Sequence, residues 1–263
     1  MNLIFADFNN DVVMLRKMVG LVDSLAKAPN ISSNSITSLD DTPNDDIRTI
    51  LLSANSSRHV MPIYHGVLLL YLAGRFENYI RDLFEDMCLT IAQRCKKYTN
   101  LPKKMRENLI SFTAKVMVDP HKFGHGDGGV SSFIKTLSSN IHDNDLVNIN
   151  TQCLSITFEN MRSNTIIELF GRVGLDKIWE SMGQQIAVRN FFSEKDPQQA
   201  TNKAKDLLDE IMNVRNRIAH PSGGFIWPSS VDIARYIDFL LILSLTLAEY
   251  CDFWPTTIQT ETT

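Results

Sequence analysis

The sequence predicts an all-α protein, and three observations carry that prediction. Apolar residues over 62–97 and again over 198–252 recur at three- and four-residue steps, the period of helices with one buried face. No segment alternates strand and helix patterns as a βαβ unit does. The 263 residues contain neither an internal repeat nor a glycine-rich phosphate loop. The expected architecture is a bundle of two long helical hairpins with an insertion between them.

The elements follow in order. Val12, Leu15, Met18, Val19, Val22 and Leu25 predict a helix over 9–25, capped by Asn9, Asn10 or Asp11. The Ser-, Asn-, Asp- and Pro-rich stretch 28–46 reads as a long polar loop, which makes residues 1–55 an N-terminal helical extension on the main domain. Over 62–97, Val67, Leu70, Tyr71, Phe76, Tyr79, Ile80, Leu83, Phe84 and Met87 mark the strongest helix, with Gly74 as a point of close packing or a bend. A helix from Lys103 to Val118 follows Pro102, and 119–129 reads as a glycine-rich loop. Helices are expected over 130–140, 159–173 and 175–192. Asp196-Pro197 opens the next at 198–220, and the last covers 229–252 after Trp227-Pro228. The main domain is thus expected over 56–254, with an insertion at about 100–155 and a tail at 255–263.

Composition narrows the chemistry. Lys+Arg 26 against Asp+Glu 30 gives a formal charge of −4, so no global basic field draws nucleic acid, and any such contact needs a local patch. Cys88, Cys95, Cys153 and Cys251 form no C-x-x-C pair, which predicts reduced core thiols, not a zinc knuckle or disulfide framework. The acidic start lacks a signal peptide's basic lead. The apolar runs 67–72 and 237–247 fall short of the ~20 residues a bilayer span needs. A cytoplasmic protein without membrane contact is expected.

The chemistry-bearing segment is Arg215-Asn216-Arg217-Ile218-Ala219-His220. At 100° per residue Leu207, Ile211, Val214 and Ile218 share one face, predicted to be the core face. Asn216 and His220, four apart, project together from the opposite side, flanked by Arg215 and Arg217. Pro221 places His220 at the helix C-terminus. This set suits RNA cleavage by the substrate's own 2′-hydroxyl. His moves protons near neutral pH, and Arg meets developing phosphoryl charge with a planar fork. No cofactor or metal is called for, because the substrate supplies the nucleophile. By spacing alone the same letters also fit ordinary surface residues.

Arg215-Asn216-x-x-x-His220 resembles the R-x4-6-H signature of the HEPN superfamily (higher eukaryotes and prokaryotes nucleotide-binding domain), in which a polar residue follows the Arg. Glu77 and Arg81 resemble that family's E-x3-K/R pattern on an early long helix. The resemblance covers about 60–97 and 155–252 and is nearest the RiboL-PSP or MAE-type bacterial branches. It implies a HEPN-like helical bundle and a homodimer in which the Arg215–His220 helices of both chains line one cleft. It also implies an endoribonuclease, often a toxin or anti-phage abortive-infection effector. Catalytic roles then fall to Arg215, Asn216 and His220, with Glu77, Arg81 and Arg217 supporting. The implied partners are RNA, tRNA among it, and a cognate antitoxin or defence-system protein. The alternatives are an inactive HEPN module that binds nucleotide, RNA or a partner, and a helical scaffold. Arg215 and His220 lie about 140° apart on one helix, which favours a site shared by two chains. Glu77 and Arg81 either hold Arg215 or touch RNA, or form an ordinary i,i+4 pair.

Other candidates carry less. Asp119, His121, His125 and Asp127 lie in too glycine-rich a loop for a rigid metal site, though the loop fits a flap over the cleft. Arg94, Lys96, Lys97, Lys103, Lys104 and Arg106 form the densest basic cluster, either a solvated helix end or a phosphate-backbone contact. His59 and His65 read as helix-start residues. Trp179, Trp227 and Trp254 read as packing groups.

Overall fold

A computed structural model describes residues 3–27 and 43–258. Among these, eleven α-helices and no strand occur, so the all-α class predicted from periodicity is the one adopted.

The first helix, α1 (Leu3–Ala26), starts six residues earlier than its polar cap suggests. Asp11 is no cap. It sits mid-helix, where its carboxylate accepts from the Arg75 guanidinium and the Tyr71 hydroxyl. Phe5, Phe8, Val12, Leu15 and Val19 follow 3,4,3,4 steps and are all buried, whereas Met18 is exposed. Contacts of Asp11 with Tyr71 and Arg75 at one end and of Asp23 with His65 at the other set α1 antiparallel to the third helix. Phe8 stacks on Tyr79 at 5.0 Å. This helix therefore shares the central core and does not hang from it. The expected polar loop lies outside the described residues over 28–42, and from Pro43 its remainder belongs to α2 (Pro43–Ser56).

At the centre lies α3 (Met61–Cys95), thirty-five residues long, ended by Lys96 in the left-handed conformation. It runs through Gly74 unbroken, and a side chain there would meet open space, so close packing does not explain that glycine. Then come α4 (Lys103–Val118), α5 (Asp127–Ser138) and a π-helical turn (Ser139–Asp143). The expected loop 119–129 thus contains a short 3₁₀ turn (His121–Phe123) and the start of α5. A one-turn helix, α6 (Thr151–Leu154), precedes α7 (Ser163–Gly171). The single helix expected over 175–192 is two, α8 (Ile178–Gln184) and α9 (Ile186–Phe191), because Gln185 is extended.

The final hairpin matches its prediction. Asp196 caps α10 (Pro197–Ala219) by accepting from the Gln198 backbone, with Pro197 at the first helical position. Ser229 and Asp232 form a capping box on α11 (Ser230–Phe253). Tyr79 donates to the Ser244 carbonyl at 2.6 Å, and Tyr236 donates to Glu210 at 2.8 Å, pinning α11 to α3 and α10. The four cysteines are free thiols in the core. No helix among the described residues is long and apolar enough to cross a membrane.

Candidate active site

The end of α10 is positioned by its buried stripe. Leu207, Ile211, Val214 and Ile218 are all buried, as the helical projection requires. Ile218 approaches Gly66 of α3, and the loop after His220 folds back over the same glycine. A Cβ on Gly66 would lie 2.6 Å from the Trp227 ring and 3.4 Å from Ile218, so only glycine admits this contact without displacement. Trp227 in turn meets Phe225 edge-on at 5.2 Å, and the Arg217 guanidinium lies 5.6 Å over Phe225. Arg217 is thereby tied to the returning loop, while Trp179 and Trp227 pack as expected.

Asn216 does not stand free on an outward face beside His220. Its Oδ1 accepts from Asn160 Nδ2 at 2.5 Å and from Arg215 Nη1 at 3.2 Å. His220 terminates the helix at φ −131°, ψ 68°, donates its backbone N–H to the Asn216 carbonyl, and is exposed. None of the described residues hydrogen-bonds its imidazole. So Asn216 is held in place with Arg215 donating to it, and His220 is left open at the helix end.

What holds Asn216 is a strap over residues 155–162, between α6 and α7, an irregular segment without the periodicity that would announce it. On α3 the polar side chains at i, i+4 and i+8 each secure one point of this region. Glu85 accepts from Thr151 and Ser155, Arg81 donates to Thr157, and Glu77 accepts from the Met161 backbone. On α10, Asn216, Asn213 and Asp209 receive Asn160, Arg162 and Ser163. Arg172, buried with its guanidinium 4.0 Å from the centre of the Phe112 ring, donates to the carbonyls of Leu154 and Ile156 at the strap's base. Burial draws its pKa down to about 10. Glu77 and Arg81 therefore neither pair with each other nor touch Arg215. They act on Asn216 through the strap. Residues 159–162, expected as the first turn of a helix, are spent on these contacts.

The outer face of α10 is a shallow depression lined by Asp206, Asp209, Glu210, Asn213, Asn216 and Arg217. Its three carboxylates disfavour phosphate at the end away from Asn216 and Arg217.

The structure does not bring the basic cluster to this place. Arg94, Lys96 and Lys97 lie at the far end of α3, about 45 Å along the helix from the Gly66–Ile218 contact. Lys104 is taken by Asp176 at 2.7 Å, and Lys103 lies 3.8 Å from Glu107. Of the histidines set aside, His125 packs edge-on against Phe133 at 4.9 Å, and buried His65 faces Asp23 at 3.4 Å.

A comparison with known families decides the kinship: the model described as RiboL-PSP-HEPN matches residues 40–252. This chain belongs to the RiboL-PSP-HEPN family. The match takes in α3, the strap and the final hairpin, and so every element of the candidate site, but leaves α1 outside it. HEPN domains are all-α and often ribonucleases. No curated protein and no solved structure matched the chain.

Proposed function

We propose that this HEPN protein is a metal-independent endoribonuclease, a toxin or anti-phage effector of the cytoplasm that cuts RNA, tRNA among it, at a site shared by two chains. The observation that supports it most is the division of labour at the end of α10. Asn216 is bound by the strap, Arg215 donates to Asn216, and the His220 imidazole is exposed and uncommitted. A placed amide, a cation bound to it and an open proton carrier are the groups that in-line attack by a 2′-hydroxyl requires.

In this reading the substrate 2′-oxygen attacks phosphorus as its proton leaves to an imidazole. The P–O5′ bond breaks, and the 5′-oxygen takes up a proton from an imidazolium. Arg215 neutralises the added charge on the phosphoryl oxygens, and Asn216 orients the phosphate. The products are a 2′,3′-cyclic phosphate and a 5′-hydroxyl. Two chains related by a two-fold axis at α10 place the Arg215 of one opposite the His220 of the other, and a cognate antitoxin or defence partner keeps the nuclease silent until needed.

The test is purified protein on total RNA and tRNA with EDTA present. Cleavage with those end groups, lost in His220→Ala, supports the assignment, and cleavage at full rate by that variant rules it out. Binding without cleavage under every condition supports the inactive binding module instead. Mixing Arg215→Ala with His220→Ala chains tests the shared site, because mixed dimers regain one intact centre and so part of the activity.

A further inference from the structure

The strap that holds Asn216 also carries an exposed aromatic ring. Phe158 lies between Thr157, bound by Arg81, and Asn160, bound to Asn216, yet it is 60% exposed. A single exposed apolar residue is ordinary. This one is placed on a built surface. It meets Phe123 edge-on, with ring centres 6.0 Å apart. Phe123 is itself anchored against a small separate core of Phe112, Val116, Phe133 and Cys153. The Lys122 ammonium sits 5.8 Å from the Phe123 ring and 5.9 Å from Phe158, and the Lys115 ammonium lies 4.3 Å over Phe112. Neither lysine takes part in an ion pair among the described residues.

Between the rings and the ammonium groups is an open hollow of about 400 Å³, with Ser111 and Val118 on its walls. Asp119 on its rim and Glu159 beside Phe158 are the nearby carboxylates in sequence. An exposed ring on a segment tied at both sides, with two lysines outside any ion pair, is the combination by which proteins hold unpaired bases and the phosphates that carry them. The Cα atoms of Phe158 and Asn160 are at most about 7 Å apart, so the ring is carried by the same short stretch of strap that binds Asn216.

We propose that Phe158, with Lys122 and Lys115, forms a base-stacking subsite that takes one unstacked base of a single-stranded RNA beside the cleavage centre. The inference rests on the ribonuclease reading and specifies its substrate: an unpaired stretch, as in a loop, in preference to continuous duplex. The strap then has two tasks, fixing Asn216 and presenting the ring at a set distance from it. The 119–129 segment, expected as a flap, supplies Phe123 and Lys122 to the platform's wall.

Binding is read with the full-length wild-type protein and a short fluorescent 2′-O-methyl RNA strand, which lacks the nucleophile and stays intact. Phe158→Ala weakens binding by roughly ten-fold or more, whereas Phe158→Trp keeps it. The alanine effect disappears on an abasic strand. Lys115→Gln with Lys122→Gln lowers the slope of log affinity against log salt by about 1.4, two phosphate contacts' worth. Unchanged affinity in Phe158→Ala, or an equal loss on the abasic strand, overturns the subsite. Failure of the nuclease reading shows separately, in the His220→Ala cleavage assay, because the 2′-O-methyl measurement involves no chemistry.

Discussion

Replacing Gly66 by alanine separates two opposing effects whose signs the structure sets. Inside a helix the exchange gains about 1 kcal/mol of propensity. The new Cβ, however, stands 2.6 Å from two Trp227 ring carbons, when carbon atoms in contact settle near 3.5–4.0 Å. Trp227 must retreat by about 1 Å, and overpacking of this kind costs about 1–3 kcal/mol. The expected net is a loss of about 1 kcal/mol, or about 2–4 °C in Tm for a domain of this size. In a Trp227→Leu background the obstacle is gone and the same change should stabilise by up to about 1 kcal/mol. Urea unfolding of the four proteins in a double-mutant cycle measures both. Stabilisation by Gly66→Ala in both backgrounds would refute the close approach of loop and helix. Since Trp227 leads through Phe225 to Arg217, the variant should also lower cleavage more than its stability loss alone explains.

Three further outcomes are expected. Asn216→Asp keeps the oxygen that accepts both hydrogen bonds and should change unfolding free energy by less than about 1 kcal/mol, while a carboxylate facing phosphate should cut RNA cleavage at least about ten-fold; a fully active aspartate variant would remove Asn216 from the site. A chain beginning at residue 40, where the family match starts, should fail to fold cooperatively in a thermal melt. It loses Phe5, Phe8, Val12, Leu15 and Val19 from the core, at about 1.5–3 kcal/mol each, which rivals a domain's whole stability. Stability should also fall as pH rises above about 9. Burial holds the Cys153 thiol up at about 11 and pushes Cys88 and Cys251 up as well, so the folded chain keeps protons that unfolded thiols release near 9. Each such thiol contributes a slope of up to about 1.4 kcal/mol per pH unit. Arg172, drawn down to about 10, opposes this only above that pH and is one group against several. Urea midpoints equal at about pH 8 and pH 10 would contradict it.

The sequence alone determined the parts governed by local periodicity and end signals. The apolar stripe of α10, its Asp196-Pro197 start and the final hairpin were all legible, because spacing, caps and proline act within a few residues. So was the R-x4-H string, since its letters are contiguous. Only the tertiary structure decided what those letters touch. Asp11 looked like a cap until Arg75, sixty-four positions away, claimed it. Glu77 and Arg81 fit either a hold on Arg215 or RNA or an ordinary i,i+4 pair, yet each hydrogen-bonds the strap, which has no periodicity to read. Asn216 was expected to be free and is held by Asn160, and Phe158 gains its meaning only from rings and lysines that arrive from another segment. Local rules fix which residues can share a face. Which faces meet is settled by long-range packing and by irregular chain whose hydrogen bonds have to be satisfied.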